Sequence, residues 1–215
     1  MLGGVMLVAA ALVLAAAPLP AQTRTDATDA TVLADRRLAA GYLRTGNAEL
    51  AALALERLVK ALPDGPLRAR AAAALAAVDT GDLTAAGEET ERLADDMAKA
   101  RRTAGRRVFA DCVRDLSAVY AVLDASRTRA PDLTRPEVRA EIVKAAAATD
   151  AAFALCDGEA PADIKADPDF RRLVDGSRAS LARLPEAVAT TDRDMLHRFL
   201  IELRAFEQLM RFRFG

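Results

Sequence analysis

Thr45–Leu58 reads TGNAELAALALERL, and Thr80–Leu93 reads TGDLTAAGEETERL. The offset is 35 residues, with six identities in fourteen positions. A repeat of this length is the mark of stacked helix–turn–helix units. Each copy opens with Thr-Gly and then Asn47 or Asp82. Glycine is common just past a helix end, and Asn or Asp is a strong N-cap. Each copy therefore holds the end of one helix, a tight turn and the start of the next. Working outward, helices are expected over about 29–44, 48–61, 66–78 and 82–102. Pro63 closes the second, and Gly65-Pro66 opens the third.

Residues 35–63 resemble a tetratricopeptide repeat. Leu38 and Ala39 stand where that motif has its Leu-Gly/Ala pair, and Tyr42 stands at its tyrosine. Ala51 takes the small position where paired helices cross. Leu55 and Leu58 take the later apolar positions, and Pro63 the closing proline. A second unit at about 70–98 keeps small residues at Ala74 and Ala86. It has Ala77 in place of tyrosine and Ala98 in place of proline. The resemblance covers about a third of the chain. It implies paired helices with a concave face that binds a partner segment, with Tyr42 as a partner-binding candidate that also suits the core.

Beyond Gly105 the period is lost. Four further helices are expected: about 106–127, 136–156 capped by Thr134, 168–183 opened by Asp167-Pro168, and one from a Thr191 cap to Phe212. Residues 158–167 read as loop, and Pro185 as a helix stop. Whether the fourth and fifth helices are continuous across Thr103–Arg106 is open. No stretch alternates with period two. The fold class is all-α: a short pair of repeat-like helical hairpins (29–103) followed by an up-down four-helix bundle (104–215). The last helix carries a seam of Leu196, Phe199, Leu203, Phe206 and Met210, broadened by Leu200 and Leu209. The tail Arg211-Phe212-Arg213-Phe214-Gly215 reads as docking in extended form, or as a recognition tail.

Residues 1–21 carry no charged side chain, and Val5–Ala17 is continuously apolar. Pro18-Leu19-Pro20-Ala21 follows. This reads as a secretory signal peptide cleaved after Ala21, with 22–28 as a polar linker. A retained anchor is the competing reading, although the run is short beside the ~20 residues a membrane helix needs. Localisation is expected to be periplasmic or secreted.

The two cysteines, Cys112 and Cys156, fall on apolar faces of consecutive expected helices. An exported chain with this even count fits one disulfide, with two buried thiols as the alternative. Closing that loop stabilises by on the order of 4 kcal/mol in the chain-entropy model.

The 215-residue chain is 52% apolar with formal net charge −1, so no long-range field favours nucleic acid. Aromatics are 4% and tryptophan is absent, which argues against a large aromatic pocket. His197 is the single histidine, and Asp194 three residues before it is the nearest approach to a metal-ligand pair. One such pair is too few for a metal centre or acid–base machinery. Phosphate-loop, dinucleotide and hydrolase-elbow patterns do not occur. The sequence therefore points to a non-enzymatic protein without cofactor or metal, working by protein–protein interaction or scaffolding in the cell envelope. The alternative is a bundle that binds or senses a small ligand or ion, in a cavity near Tyr120 and His197.

Overall fold

The computed structural model describes residues 21–215, with side chains from residue 29. The expected signal peptide lies outside the described residues, apart from its last residue. Nine helices and no strands occur among the described residues: α1 Ala21–Arg44, α2 Ala48–Ala61, α3 Pro66–Asp79, α4 Leu83–Thr103, α5 Phe109–Arg129, α6 Pro136–Glu159, α7 Ala162–Ala166, α8 Pro168–Ala189 and α9 Arg193–Phe214. The chain is all-α. No described helix is long and apolar enough to cross a membrane.

The repeated turn forms as its residues dictate. Gly46 and Gly81 are left-handed, at φ 75° and 78°. Asn47 accepts from the Leu50 amide, and Asp82 from the Ala85 amide. The α1–α2 and α3–α4 hairpins pack through alanines that let backbones approach. Ala39, Ala51, Ala74 and Ala86 are fully buried, with Leu55, Leu58 and Leu93 filling the space between. α2 also packs on α3, and α1 on α4. The four helices therefore form a closed ring around one apolar cluster.

A second ring is built from α5, α6, α8 and α9, with α5 against α6, α6 against α8, α8 against α9 and α9 back against α5. Its own cluster is centred on Leu116, Leu123, Phe153, Phe170, Leu184 and Leu203. Cys112 on α5 and Cys156 on α6 lie at disulfide distance, Cα–Cα 5.6 Å. They tie neighbouring antiparallel helices, as their apolar-face placement suggested.

The structure corrects several local expectations. α1 already covers residues 22–28 among the described residues, so the stretch read as a polar linker is helical. It contains no proline or glycine to stop α1 from extending backward. α4 and α5 are separate: Gly105 is left-handed at φ 66°, and Val108 is extended. α7 occupies part of the expected loop. Pro185 lies inside α8, which continues to Ala189. Proline forfeits one helical hydrogen bond, but Leu184, Ala187 and Val188 are all buried, so the last turn is held by the core. Thr134 does not cap α6; its hydroxyl donates to Asp132 at 2.7 Å. Thr191 does not cap α9. Asp192 does, accepting from the Met195 amide.

The terminal segment is helical through Phe214 rather than extended. Residues two apart on a helix point roughly 200° away from each other. That is what the position of α9 requires, because its last turn sits between the rings. Phe214 is buried with Phe109 and Phe170, ring centroids 6.3 and 5.4 Å away. Phe212 faces the first ring, where it covers Gly41 of α1 and lies under the Arg44 guanidinium, 4.5 Å from its centroid. A Cβ on Gly41 would meet the Phe212 ring at 3.0 Å, so glycine makes the seat. Of the expected seam, Leu196, Leu203 and Met210 are buried. Phe199 and Phe206 pack at its edge, and Leu209 is exposed.

Candidate functional site

Tyr42 is half-buried and packs against the first cluster, so its placement is mainly structural. Around it, α1 and α2 leave three leucines exposed: Leu38, Leu50 and Leu53. The Arg57 guanidinium of α2 donates to Asp35 of α1 at 2.7 Å, spanning the hairpin. Leu38 is one turn beyond Asp35, and Leu53 one turn before Arg57. Helical periodicity then puts both leucines on the same face of the hairpin as this ion pair. Leu50 continues the stripe on α2, and Tyr42 continues it on α1. Ring closure by α1 and α4 leaves this outer face, rather than an inner groove, as the exposed apolar surface of the first ring.

The joint between the rings is polar and mostly satisfied. Arg101, in the last turn of α4, pairs with Asp111 in the first turn of α5, by Nε at 3.0 Å and a terminal nitrogen at 2.5 Å. Asp111 is fully buried, and it also accepts from the Val108 amide. Arg36 is buried and donates to the Gly215 carbonyl oxygen at 2.5 Å. Burial pulls its guanidinium down to about 10, with Glu91 the chief opposing influence. A cleft of about 350 Å³ lies beside this joint, with Arg102, Arg114 and Arg211 in its lining. Arg114 is tied to Asp95 and Arg211 to Glu91. These pairs bind α4 to the second ring and so account for themselves structurally.

A second cavity, of about 250 Å³, opens at the far end of the second ring. Its polar lining includes Arg127 from the end of α5, and Arg193, Asp194 and His197 from the start of α9, over a floor of Leu196 and Leu200. Tyr120 stands behind the floor. Its hydroxyl reaches the Leu200 carbonyl at 3.4 Å and Asp124 at 3.1 Å. Burial, then the Asp124 charge, push the phenol well above its ordinary range. Asp124 is a hub that also accepts from Arg127 and Arg204, and the Arg127 bonds hold its carboxyl below the usual range. Tyr120 is thus a neutral structural donor. His197 lines the cavity.

No group of three or more metal-ligating side chains occurs among the described residues. Glu207, on the polar side of the expected seam, is buried; its carboxylate accepts from Ser117 at 2.5 Å. Nothing in its neighbours along the chain marks it for burial. It is buried because α9 is covered on two sides.

Comparison with protein-family models, with curated proteins and with solved structures found no match to this chain.

Proposed function

We propose that this is an exported, non-enzymatic helical protein of the cell envelope that binds another protein through the outer face of α1 and α2. The carrying observation is the stripe of Leu38, Leu50 and Leu53, exposed on one hairpin face beside Tyr42. Large apolar side chains in a group on a surface are typical of interaction sites, whereas single ones are not. The hairpin pair keeps the small crossing residues of a tetratricopeptide-like unit, which supports repeat ancestry and a binding role. The apolar run Val5–Ala17 and the cysteine pair support export to the periplasm or beyond. No cofactor is needed for this role.

The test is co-purification from envelope extract at native expression. Leu38→Glu and Leu53→Glu should each abolish recovery of a stoichiometric partner while leaving helical content and Tm unchanged. A wild-type protein that elutes alone, or variants that keep the partner, would end the proposal. The mass of the exported chain tests processing: loss of residues 1–21 is expected.

A second reading is favoured by the cavity at His197: the second ring binds or senses a small ligand. The two roles use different rings and are compatible.

A further inference from the structure

The cavity at the end of the second ring pairs an apolar floor with a rim of uneven hydrogen-bonding capacity. Leu196 and Leu200 close its base but are almost wholly buried, so its accessible apolar lining is Ala130 and Pro131. At the rim Arg127, Arg193 and His197 can donate, and Asp194 has only a carboxylate. Arg127 spends two of its nitrogens on Asp124, leaving one terminal nitrogen without a bond among the described residues. Arg193 has its nearest carboxylate, Asp132, at 3.7 Å, beyond hydrogen-bond reach. The same Asp132 oxygen already accepts from the Thr134 amide and hydroxyl. His197 has no hydrogen-bond partner among the described residues. Donor groups without a protein acceptor therefore gather at one rim, which is open to water at Arg193 and His197 and walled by Ala130 and Pro131.

We infer that this cavity is a binding site for a small monocarboxylate with an apolar body. The carboxylate would meet Arg193 and His197, and the apolar body would lie against Ala130 and Pro131, the accessible apolar lining of the cavity. Arginine and a carboxylate form charge-assisted bonds of good geometry, stronger than those of neutral groups. Asp194 limits the charge the ligand can carry: a second carboxylate would stand against it. An ammonium head group would face two guanidiniums for one carboxylate. The space amounts to about eight water volumes at ~30 Å³ each, which suits a single ring or a short chain. Mostly apolar cavities with a few convergent polar groups are the usual form of small-molecule sites. This inference rests on the small-ligand reading of the second ring and names the class of ligand.

The single histidine gives an unambiguous reporter. The full protein is titrated with benzoate, benzylamine and benzyl alcohol at constant ionic strength. The His197 imidazole resonances are followed by NMR and the heats by calorimetry. Benzoate should shift His197 saturably, and the other two should not. Arg193→Ala should weaken benzoate by about tenfold, in line with one lost charge-assisted bond. Arg193→Lys should restore part of the affinity, and Arg172→Ala, on α8 outside the cavity, should change nothing. Arg193 is mostly exposed, so its loss leaves the fold intact. If benzyl alcohol or benzylamine shifts His197 as strongly as benzoate, or Arg193→Ala binds benzoate unchanged, the carboxylate inference fails and the small-ligand reading stands. If none of the three shifts His197, both fail.

Discussion

Thr45, Thr80 and Thr190 do the same work at three helix ends. Each hydroxyl donates to the carbonyls three and four residues back, at 2.9–3.3 Å. Each is followed by a left-handed residue and then by a capping Asn or Asp. The backbone bonds repeat as well. Gly46, Gly81 and Thr191 each donate to the carbonyl three residues back, and the next residue to the one five back. In two copies the left-handed residue is glycine; in the third it is Thr191, at φ 56°. A β-branched residue there is strained, whereas glycine has no Cβ to clash. Thr191→Gly should therefore raise stability by about 1 kcal/mol, and Gly81→Ala should lower it by a similar amount. Paired denaturant titrations check both signs. The third turn was hard to read because Thr-Thr-Asp hides the glycine that announces the other two, and the cap falls one residue later than Thr191.

At the scale of helices, periodicity and turn residues located α2, α3, α4 and α9 almost to the residue. The misses have physical causes. Pro185 has the local signature of a stop, but burial of the residues beyond it outweighs the lost hydrogen bond. α7 is a single turn, too short to show a period. The α4–α5 break was ambiguous because its strongest constraint, Arg101 with Asp111, is a tertiary contact between two otherwise ordinary charged residues. That pair fixes the angle between the rings at their covalent joint. Removing one partner strands a buried charge, which typically costs 3–5 kcal/mol. Asp111→Ala should thus destabilise by about 3 kcal/mol or more, well above the effect of Asp64→Ala in the exposed Arg68–Asp64 pair. Urea titration of the two variants separates a structural joint from surface decoration.

In the whole molecule, two four-helix rings with separate cores are held together by the joint and by the end of α9. Both rings follow from alternating helices and short turns, and each has its own apolar cluster. How the rings meet was not legible. The decisive contacts pair residues 176 and 179 positions apart: Arg37 with the Arg213 carbonyl, and Arg36 with the Gly215 carbonyl oxygen. Phe214→Ala should cost about 3 kcal/mol, within the range for buried phenylalanines. Hydrogen exchange should speed up in α1 as well as α9. Protection lost only within the second ring would show that the end of α9 does not join the two.

The most direct measurement of how the protein acts is site-specific photocrosslinking in intact cells. The crosslinking amino acid is placed in turn at Leu53 on the α2 face and at two exposed controls on the second ring, Val122 and Leu155. A single defined adduct from Leu53, lost in the Leu38→Glu background and absent from Val122 and Leu155, is the expected result. Equal adducts from all three positions, or none from Leu53, would contradict a partner surface on the first hairpin.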